Sequence, residues 1–461
     1  MKPSGLFIEH MQILRERYDR ALENHQFDQL LVYSGALKMQ FLDDIPYPFH
    51  CNPHFKTLAP LTDAPESWVI WRPTKKPLLL FYQPHEFWHT IPKIPDGEWV
   101  QHVEIKTLRK PEEAKAYFGN LNHTAFLGET IPSPQDANLG QYLSAYQDKP
   151  NVHDWDIGSR NPPALYAELN WYRNIKTPYE QHCIRKANRI SVQGHSAAKD
   201  AFLGGASEFE IAMAFQQTCQ QNENELAYPS VVGINQQAAV LHKQGYDKTR
   251  QNKDLRNSML IDAGAHYNGY ASDITRTHAF KEGMFADMVT ALDEQQQIMA
   301  ANIVPESTYV DATRDALLRI ARLLKESGVL NLEPEAAFET GIIHAFMPHR
   351  LGHFLGLQVH DVGGDIKDAS GANYEPNGRF PRSPLMRPFE AGQVITIEPG
   401  LYFIDMLLKP LAQGPHSNGV NWAVVEQLKP FGGIRIEDNV LITTTGSENL
   451  TRLAFEQQRS D

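Results

Sequence analysis

The sequence predicts an α/β (α+β) protein with an N-terminal mixed α/β domain over residues 1–160 and a larger C-terminal domain over residues 161–461. Short apolar runs alternate with helical patterns along the whole chain, which is typical of mixed α/β folds. A polar stretch with paired prolines, NVHDWDIGSRNPPAL (151–165), predicts the boundary. At roughly 150 residues per domain, 461 residues allow three domains, but one small and one large domain fit as well.

The N-terminal domain is predicted to hold buried strands joined by helices. Helical patterns cover residues 6–26 and about 111–119. Four apolar runs bounded by turn residues predict the strands, and they are LLVYSG (30–35), WVIWRP (68–73), LLLFYQP (78–84) and TAFLGE (124–129).

Helix-start signals open the C-terminal domain. Thr177-Pro178-Tyr179-Glu180 has the pattern of a capping box and predicts a helix from 178 to about 202. Ser207-Glu208-Phe209-Glu210 has the same pattern and predicts a helix to about 221. Helical patterns recur at 284–302 and 309–327.

Strand-like segments follow from residue 258 onward, so the C-terminal domain is predicted to carry a mixed sheet with helices on one side. The segments are SMLIDAG, YNGYASDITRTHAF, QVITIEPGLYF and GGIRIEDNVLITT.

Composition excludes several classes of protein. The content of 42% hydrophobic and 10% aromatic residues suffices for a packed core and excludes a disordered chain. Lys and Arg number 43 against 55 Asp and Glu, so the net charge of −12 argues against nucleic acid or a membrane as partner. The chain has neither an apolar run of about 18 residues nor a signal-peptide segment at its start. Cys51, Cys183 and Cys219 form no CxxC pair, and we expect a reducing compartment, the cytoplasm.

Charged residues interrupt otherwise apolar strands at five places. A carboxylate in a buried strand is costly unless it is paired or bound to a metal, and a single one is more often a structural ion pair. Four acids in four glycine-flanked strands, together with one histidine, favour a functional cluster. The five residues are Asp262, Asp273, His353, Glu398 and Glu437.

The spacing predicts that these side chains converge. Asn268-Gly269 is a strong hairpin signal and lays the Asp262 strand antiparallel to the Asp273 strand. Arg435 shares a strand face with Glu437, as Thr396 does with Glu398, because strand side chains alternate with a period of two.

The residue types predict a site for divalent metal ions. Carboxylate oxygens with one imidazole suit Mn²⁺, Co²⁺, Zn²⁺ or Fe²⁺. Four carboxylates carry a charge of about −4, which two divalent ions balance, and paired ions are a recurring hydrolytic device. His349 and His353 are spaced as in the HExxH zinc motif, but Arg350 stands where that motif needs glutamate.

The order of these residues and their contexts DAG, DxTRT, GH, EPG and RIED resembles the metal signature of the pita-bread metallopeptidases, family M24. The phrases QFLDDIPYPFHCNPHFK, LQVHDVGG and KPFGGIRIEDN are similar to the proteobacterial Xaa-Pro dipeptidases (prolidases), the group that also contains organophosphorus acid anhydrolases. The resemblance implies a pita-bread fold for the C-terminal domain.

The resemblance also implies two Mn²⁺ ions per subunit, with Co²⁺ or Zn²⁺ as alternatives. Asp273, His353 and Glu398 would bind one ion and Asp262 the other, with Asp273 and Glu437 shared. A homodimer is implied, with Asp44 reaching the partner's site, although Asp44 also fits a turn.

The resemblance assigns further residues to the substrate. His242, His349 and His360 match histidines near the scissile bond and the substrate carboxylate, and Arg435 matches a carboxylate-binding arginine. An alternative role for Arg435, as the ion-pair partner of a ligand carboxylate, stays open. Tyr228 matches a pocket tyrosine, and Tyr309 is a weaker match. Arg350 stands where many relatives have glycine, and the segment 377–390 has no clear counterpart.

The implied activity is hydrolysis of dipeptides with C-terminal proline by a metal-activated hydroxide. Glu398 would carry the proton to the imide nitrogen, His360 would stabilise the oxyanion, and His349 and Arg435 would hold the prolyl carboxylate. Organophosphate hydrolysis is an expected side activity. Two alternatives stay open, namely an aminopeptidase P-like enzyme acting on longer peptides and a binding module without catalysis.

Overall fold

The computed structural model describes residues 3–129, 155–372 and 385–460. Residues 151–154 of the predicted boundary and most of the segment 377–390 therefore lie outside the described residues. The chain divides into two compact units. The N-terminal unit comprises Met1–Arg173 with Thr177–Tyr179 and Asp368–Ala372, and the C-terminal unit comprises Asn174–Lys176, Glu180–Lys367 and Asn373–Asp461.

The N-terminal unit is built on a six-stranded mixed sheet. Its helices are α1 (Pro3–Asn24), α2 (Pro53–Leu58), α3 (Lys115–Phe118) and α4 (Pro163–Asn174). Its strands are β1 (Gln29–Tyr33), β2 (Trp68–Trp71), β3 (Leu78–Tyr82), β4 (Glu104–Leu108), β5 (Thr124–Leu127) and β6 (Ser159–Arg160).

The strand order is β4-β3-β2-β1-β5-β6. Strand β2 pairs antiparallel with both β1 and β3, and the remaining pairs are parallel. The four predicted strands are confirmed. Strands β4 and β6 were not predicted, because β4 is largely exposed and β6 has only two residues.

The C-terminal unit adds eight helices and ten strands within the described residues. The helices are α5 (Pro178–Gly204), α6 (Glu208–Cys219), α7 (Met284–Ala301), α8 (Tyr309–Glu326), α9 (Pro334–Glu339), α10 (Asp405–Gln413), α11 (Trp422–Leu428) and α12 (Leu450–Ser460). The strands are β7 (Val231–Ile234), β8 (Ser258–Asp262), β9 (His266–Tyr267), β10 (Tyr270–Ala271), β11 (Thr275–Ala279), β12 (Val394–Ile397), β13 (Gly400–Tyr402), β14 (Gly433–Arg435), β15 (Asp438–Ile442) and β16 (Ser447–Asn449).

The predicted hairpin is confirmed. Strands β9 and β10 pair across Asn268-Gly269, where both residues have positive φ, and β11 lies antiparallel to β8 with Thr275 opposite Asp262. The capping box at Ser207 is also present. Strands β12 and β13 pair antiparallel with β15 and β14, and an isolated bridge joins Thr275 to Glu437.

Two further findings concern the described residues. No helix among the described residues is both long and apolar enough to cross a membrane. All three cysteines are buried, and Cys51 and Cys219 are free.

Candidate metal centre

The five predicted ligands lie together in the C-terminal unit, at the ends of its strands. Asp262 closes β8, and Asp273 lies two residues before β11. Glu398 directly follows β12, and Glu437 lies between β14 and β15. His353 precedes the bridge from Phe354 to Ile395, so it too is fixed against β12. Strand ends thus place all five residues around one point.

Three of these residues form the centre of the cluster. Ligand atoms of Asp273, His353 and Glu437 lie within 4.8 Å of one another, and all three residues are buried. Nε2 of His353 is 3.3 Å from Oδ2 of Asp273 and 4.0 Å from Oε1 of Glu437. Two carboxylates and an imidazole this close are a donor set for a divalent metal.

Asp262 and Glu398 flank the centre. Oε1 of Glu398 lies 3.6 Å from Nε2 of His353. The hydroxyl of Tyr228 lies 2.6 Å from Oδ1 of Asp262 and also within hydrogen-bond distance of Asp273. Burial and the two aspartates raise the pKa of Tyr228 well above its usual range, so the phenol stays protonated and can donate a hydrogen bond to either aspartate.

The carboxylates repel one another inside the protein. Burial raises the pKa of Glu398 to about 7 and that of Glu437 well above its usual value, with nearby carboxylates adding to both shifts. Oε1 of Glu437 is buried and has no hydrogen-bond partner. A buried carboxylate oxygen without a donor is costly unless a cation satisfies it. The residues present therefore fit a metal site.

The glycines of the motifs allow the close approach of the chain around the ligands. A Cβ on Gly352 would lie 2.0 Å from the carbonyl oxygen of Thr396, and one on Gly264 would lie 2.0 Å from that of Ser272. The backbone beside His353 therefore packs directly on β12, with the amide of Thr396 donating to the carbonyl of His353 at 2.8 Å. The segment 347–353 is not helical.

Arg435 uses all three guanidinium nitrogens inside the site. Nη2 donates to Oδ2 of Asp262 at 2.7 Å, Nη1 donates to the hydroxyl of Tyr402 at 2.9 Å, and Nε donates to Oγ1 of Thr275 at 3.2 Å. Burial would lower the pKa of Arg435, but Tyr402 and the carboxylates raise it, so the charge is retained. This arrangement is the ion pair that the sequence left open as one role for Arg435.

Tyr402 connects Arg435 to His349, and sequence reasoning missed it. Nδ1 of His349 lies 2.7 Å from the carbonyl of Arg350, so Nδ1 carries the hydrogen and Nε2 accepts from the Tyr402 hydroxyl at 2.9 Å. Burial and Arg435 lower the pKa of His349 to about 4, which keeps the ring neutral. No local signal in the phrase EPGLYF marks Tyr402, because only the folded chain brings its hydroxyl within 2.4 Å of the position that a Cβ on Gly400 would take.

The remaining predicted residues lie in different surroundings. The ring of His360 is 4.4 Å from that of His353, and its pKa is lowered to about 4 by burial and by His353. His242 is exposed, and its charge contributes to the lowered pKa of His349 and His360. Tyr309 is fully buried and its hydroxyl lies 2.8 Å from the carbonyl of His353. Asp44 belongs to the N-terminal unit and is exposed, with its amide bonded to Asp43.

A second ionic network lies directly behind Glu437. Arg276 donates to the carbonyl of Glu437 at 2.8 Å and to Oδ1 of Asp438 at 2.6 Å. Arg452 donates to Oδ2 of Asp438 at 2.6 Å and reaches Asp293 at 2.8 Å. Burial would raise the pKa of Asp438, but the two arginines lower it to about 2. This network fixes the backbone of a ligand residue from behind.

Family models match nearly the whole chain. The model described as "Xaa-Pro dipeptidase, N-terminal domain" matches residues 5–170, and "Metallopeptidase family M24" matches residues 182–444. The chain is 42% identical over 452 residues to a protein of Aeromonas hydrophila named Xaa-Pro dipeptidase, with 98% of this chain and 99% of that protein covered. It is 44% identical to a protein of the same name from Stenotrophomonas maltophilia, with 98% of each covered.

Solved structures of Escherichia coli aminopeptidase P share the fold. A zinc-substituted form in complex with product has a TM-score of 0.67 at 20% identity, covering 95% of each chain. A low-pH form has a TM-score of 0.68 at 21% identity, covering 96% of this chain and 95% of that one. The predicted fold class is confirmed. With the full-length match to Xaa-Pro dipeptidases, these findings show that the chain belongs to metallopeptidase family M24.

Proposed function

We propose that this chain is a metal-dependent Xaa-Pro dipeptidase that hydrolyses dipeptides with proline at the C-terminal position. The observation that carries the proposal is the buried, partnerless Oε1 of Glu437 beside Asp273 and His353. Such a donor set suits a divalent cation, and the relatives that match over nearly their full length are named Xaa-Pro dipeptidases.

The proposed cofactor is a pair of Mn²⁺ ions, with Co²⁺ or Zn²⁺ as substitutes. Asp273, His353 and Glu398 would hold one ion and Asp262 the other, while Asp273 and Glu437 would be shared. Four carboxylates favour two divalent ions over one, because a single ion leaves about two negative charges buried. When bound, a metal pair lowers the pKa of water and polarises the substrate carbonyl.

Glu398 is the proposed carrier of the proton. Its Oε1 lies 3.3 Å from the hydroxyl of Thr396 and close to His353, which leaves Oε2 as the atom that takes up the proton. A carboxylate in this position can accept and release a proton within one turnover. Glu398 would then pass the proton to the imide nitrogen of proline as the bond breaks.

The histidines are proposed to position the substrate. His360 would donate to the carbonyl oxygen of the scissile bond from its place beside His353. His349, held neutral between Arg350 and Tyr402, and His242 would line the side where proline binds. Tyr228 would line the pocket next to Asp262 while it orients both aspartates.

The test is hydrolysis by chelator-treated protein with and without added Mn²⁺, using Ala-Pro and Ala-Pro-Ala-Ala in parallel. We expect Mn²⁺ to restore cleavage of Ala-Pro and to leave Ala-Pro-Ala-Ala intact. Cleavage of the tetrapeptide alone would replace the dipeptidase with an aminopeptidase P-like activity. Failure to bind metal, measured by titration calorimetry, would leave a binding module without catalysis.

We also propose that the chain forms a homodimer through its N-terminal unit. Two stretches, 41–47 and 87–94, expose large apolar side chains, and Asp44 lies in the first of them. Contiguous exposed apolar side chains are typical of interaction surfaces. The side chains are Phe41, Leu42, Ile45, Tyr47, Phe87, Trp88, Ile91 and Ile94.

Light scattering on the purified protein tests the homodimer, and we expect Trp88→Glu to shift the mass towards one chain. The free, buried thiols of Cys51 and Cys219 support a reducing compartment such as the cytoplasm.

A further inference from the structure

The ring of His360 must be held in place to donate to the scissile carbonyl, and this requirement rests on the proposed function. His360 is exposed, and its ring makes no hydrogen bond with any of the described residues. Its position therefore depends on the backbone of the loop that carries it.

The loop from Phe354 to Asp361 closes on one carbonyl. The amide of Asp361 donates to the carbonyl of Phe354 at 2.8 Å, and the same carbonyl lies 3.1 Å from Nδ1 of His353. With the loop closed in this way, the ring of His360 lies 4.4 Å from that of His353. Contacts that fix Asp361 therefore also fix His360 beside the predicted metal ligand.

A buried ion pair holds the side chain of Asp361. Nζ of Lys176 lies 2.9 Å from Oδ2 of Asp361, and each side chain has 1% of its surface exposed. Nζ also donates to the carbonyl of Asn174 at 3.2 Å, and the side-chain amide of Asn174 donates to the carbonyl of Val362 at 2.9 Å. Two consecutive loop residues are thus tied to the segment 174–176.

The segment that provides Lys176 is itself fixed next to the strand that leads to Glu398. The amide of Lys176 donates to the carbonyl of Gly392 at 2.8 Å, and its carbonyl accepts from Nε2 of Gln181 at 2.9 Å. Gly392 lies two residues before β12, which Glu398 directly follows. Because the backbone of Lys176 is fixed, a shift of the loop would draw Asp361 away from its counter-charge.

A glycine leaves room for this ion pair. A Cβ on Gly356 would lie 2.2 Å from Oδ2 of Asp361 and 2.8 Å from Cε of Lys176. The carbonyl of Gly356 accepts from the amide of Ala271 at 2.9 Å, so this part of the loop is bonded to β10. The backbone of the loop therefore packs directly against both charged side chains.

A buried ion pair adds little net stability, since the cost of removing two charges from water offsets their attraction. It does favour one position, because a displaced charge is left unpaired inside the protein. We propose that Lys176 is a positioning residue that, through its ion pair with Asp361, holds His360 where it can donate to the carbonyl oxygen of the scissile bond. Lys176 is itself buried and acts on the substrate only through His360.

The test measures hydrolysis of Ala-Pro by Mn²⁺-loaded Lys176→Met, which leaves the carboxylate of Asp361 without its ammonium partner. We expect kcat to fall about 10- to 100-fold, since a displacement of about 1 Å caused far from the reacting atoms can cost that much. The loss should appear in kcat and not in KM, because the oxyanion forms only in the transition state. Lys325→Met, which breaks an exposed ion pair with Glu333, is the matched control and should match the wild type.

A double variant decides whether Lys176 acts through His360. His360→Ala removes the ring and should lower kcat at least as much as Lys176→Met does. If Lys176 acts by placing this ring, Lys176→Met should cause no further loss in the His360→Ala protein, whereas independent effects multiply. Calorimetric titration should give the same Mn²⁺ affinity for the wild type and for Lys176→Met.

A variant without either charge keeps the test decisive if Lys176→Met does not fold. Lys176→Met combined with Asp361→Leu replaces the ion pair by apolar side chains, a change that is often neutral for stability. This protein should fold and bind Mn²⁺ yet have a low kcat, because apolar contact alone does not hold the loop at one position.

The outcomes separate the two proposals. Equal losses from Lys176→Met with and without the ring of His360 would overturn the positioning role and leave the dipeptidase standing. So would wild-type kcat in Lys176→Met, in His360→Ala or in the variant without either charge, and so would a fall in Mn²⁺ affinity that accounts for the lost activity. A wild type that binds Mn²⁺ but cleaves no Xaa-Pro dipeptide overturns the proposed function, and the role of Lys176 with it.

Discussion

Glu437 and Asp438 are neighbours in the chain and both are buried, with 2% and 0% of their surface exposed, yet their surroundings are opposite. Both oxygens of Asp438 accept hydrogen bonds from arginines, and its pKa is lowered to about 2. Glu437 has one oxygen bonded to Thr275 and one without a partner, and burial raises its pKa well above the usual range. Burial of an acid therefore does not by itself indicate a metal ligand, whereas a buried carboxylate oxygen without a donor fits one when an imidazole and a second acid lie beside it.

The largest expected effect follows from removing the unsatisfied acid. Glu437→Ala should abolish metal binding and lower turnover on the order of 10³-fold or more, as loss of a residue that acts in a catalytic unit does. The metal-free variant should unfold at the same or a higher urea concentration than metal-free wild type, because a buried oxygen without a hydrogen-bond partner is gone. Calorimetric metal titration and urea unfolding measure the two effects.

Glu456→Ala, which removes an exposed acid on α12, is the control for this variant. Full activity of Glu437→Ala would contradict the assignment of Glu437 to the metal site.

Asp438→Asn should have the opposite profile. It leaves Arg276 and Arg452 without their buried counter-charge, and breaking a buried ion pair costs about 3–5 kcal/mol. Because the pKa of Asp438 is depressed, this stabilisation is present above the ordinary pKa of 3.8 and is lost as the pH falls towards about 2. Urea unfolding of the metal-free proteins at pH 7 measures the loss in free energy of unfolding. A loss below about 1 kcal/mol would be that of an exposed ion pair and would contradict the contrast between Asp438 and Glu437.

Asp262 lies between Glu437 and Asp438 in its surroundings. It belongs to the predicted metal site, yet Arg435 donates to one of its oxygens and Tyr228 to the other. Arg435→Lys keeps the charge but loses the three fixed donors. If Arg435 positions the ligand, metal affinity should fall about 10- to 100-fold. If it binds the substrate, KM should rise with metal affinity unchanged, and this second result would restore the role that the resemblance implies.

The smallest effect concerns protons released on metal binding. Burial raises the pKa of Glu398 to about 7, and the carboxylates raise that of His353 although burial opposes it. Ligands must lose their protons before they bind metal. For each proton that the metal displaces, Mn²⁺ affinity should therefore fall about tenfold per pH unit as the pH falls below 7. Titration in two buffers of different ionisation enthalpy measures the protons released, and a flat profile from pH 5 to 7 would contradict the shifts.

The sequence predicted that the five candidate ligands converge, because each step of that prediction needed only local information. An acid or histidine within an apolar segment, the period of two and the Asn268-Gly269 turn are all read from neighbouring residues. The four N-terminal strands were predicted for the same reason, whereas β4 was missed because its residues are mostly exposed.

The supporting residues were not predictable in this way. Tyr402 looks like an ordinary core aromatic, and its bond to Arg435 joins residues 33 positions apart. The same holds for Arg276 and Asp438, which are 162 positions apart. Whether an arginine is occupied by a ligand carboxylate, as Arg435 is, or unpaired among the described residues, as Arg350 is, depends on partners that only the folded chain brings together.

The isolated bridge between Thr275 and Glu437 joins the first half of the site to the second across 162 residues. Because contacts distant in sequence require closure of long loops, the site should assemble late in folding. The complete ligand set would then form only in the folded chain, so metal should bind the native state more tightly than the unfolded chain. Metal availability would therefore set the enzyme's resistance to unfolding, by about 2.7 kcal/mol at a free concentration of 100 times Kd, and a cell short of metal would hold a less durable protein as well as a less active one.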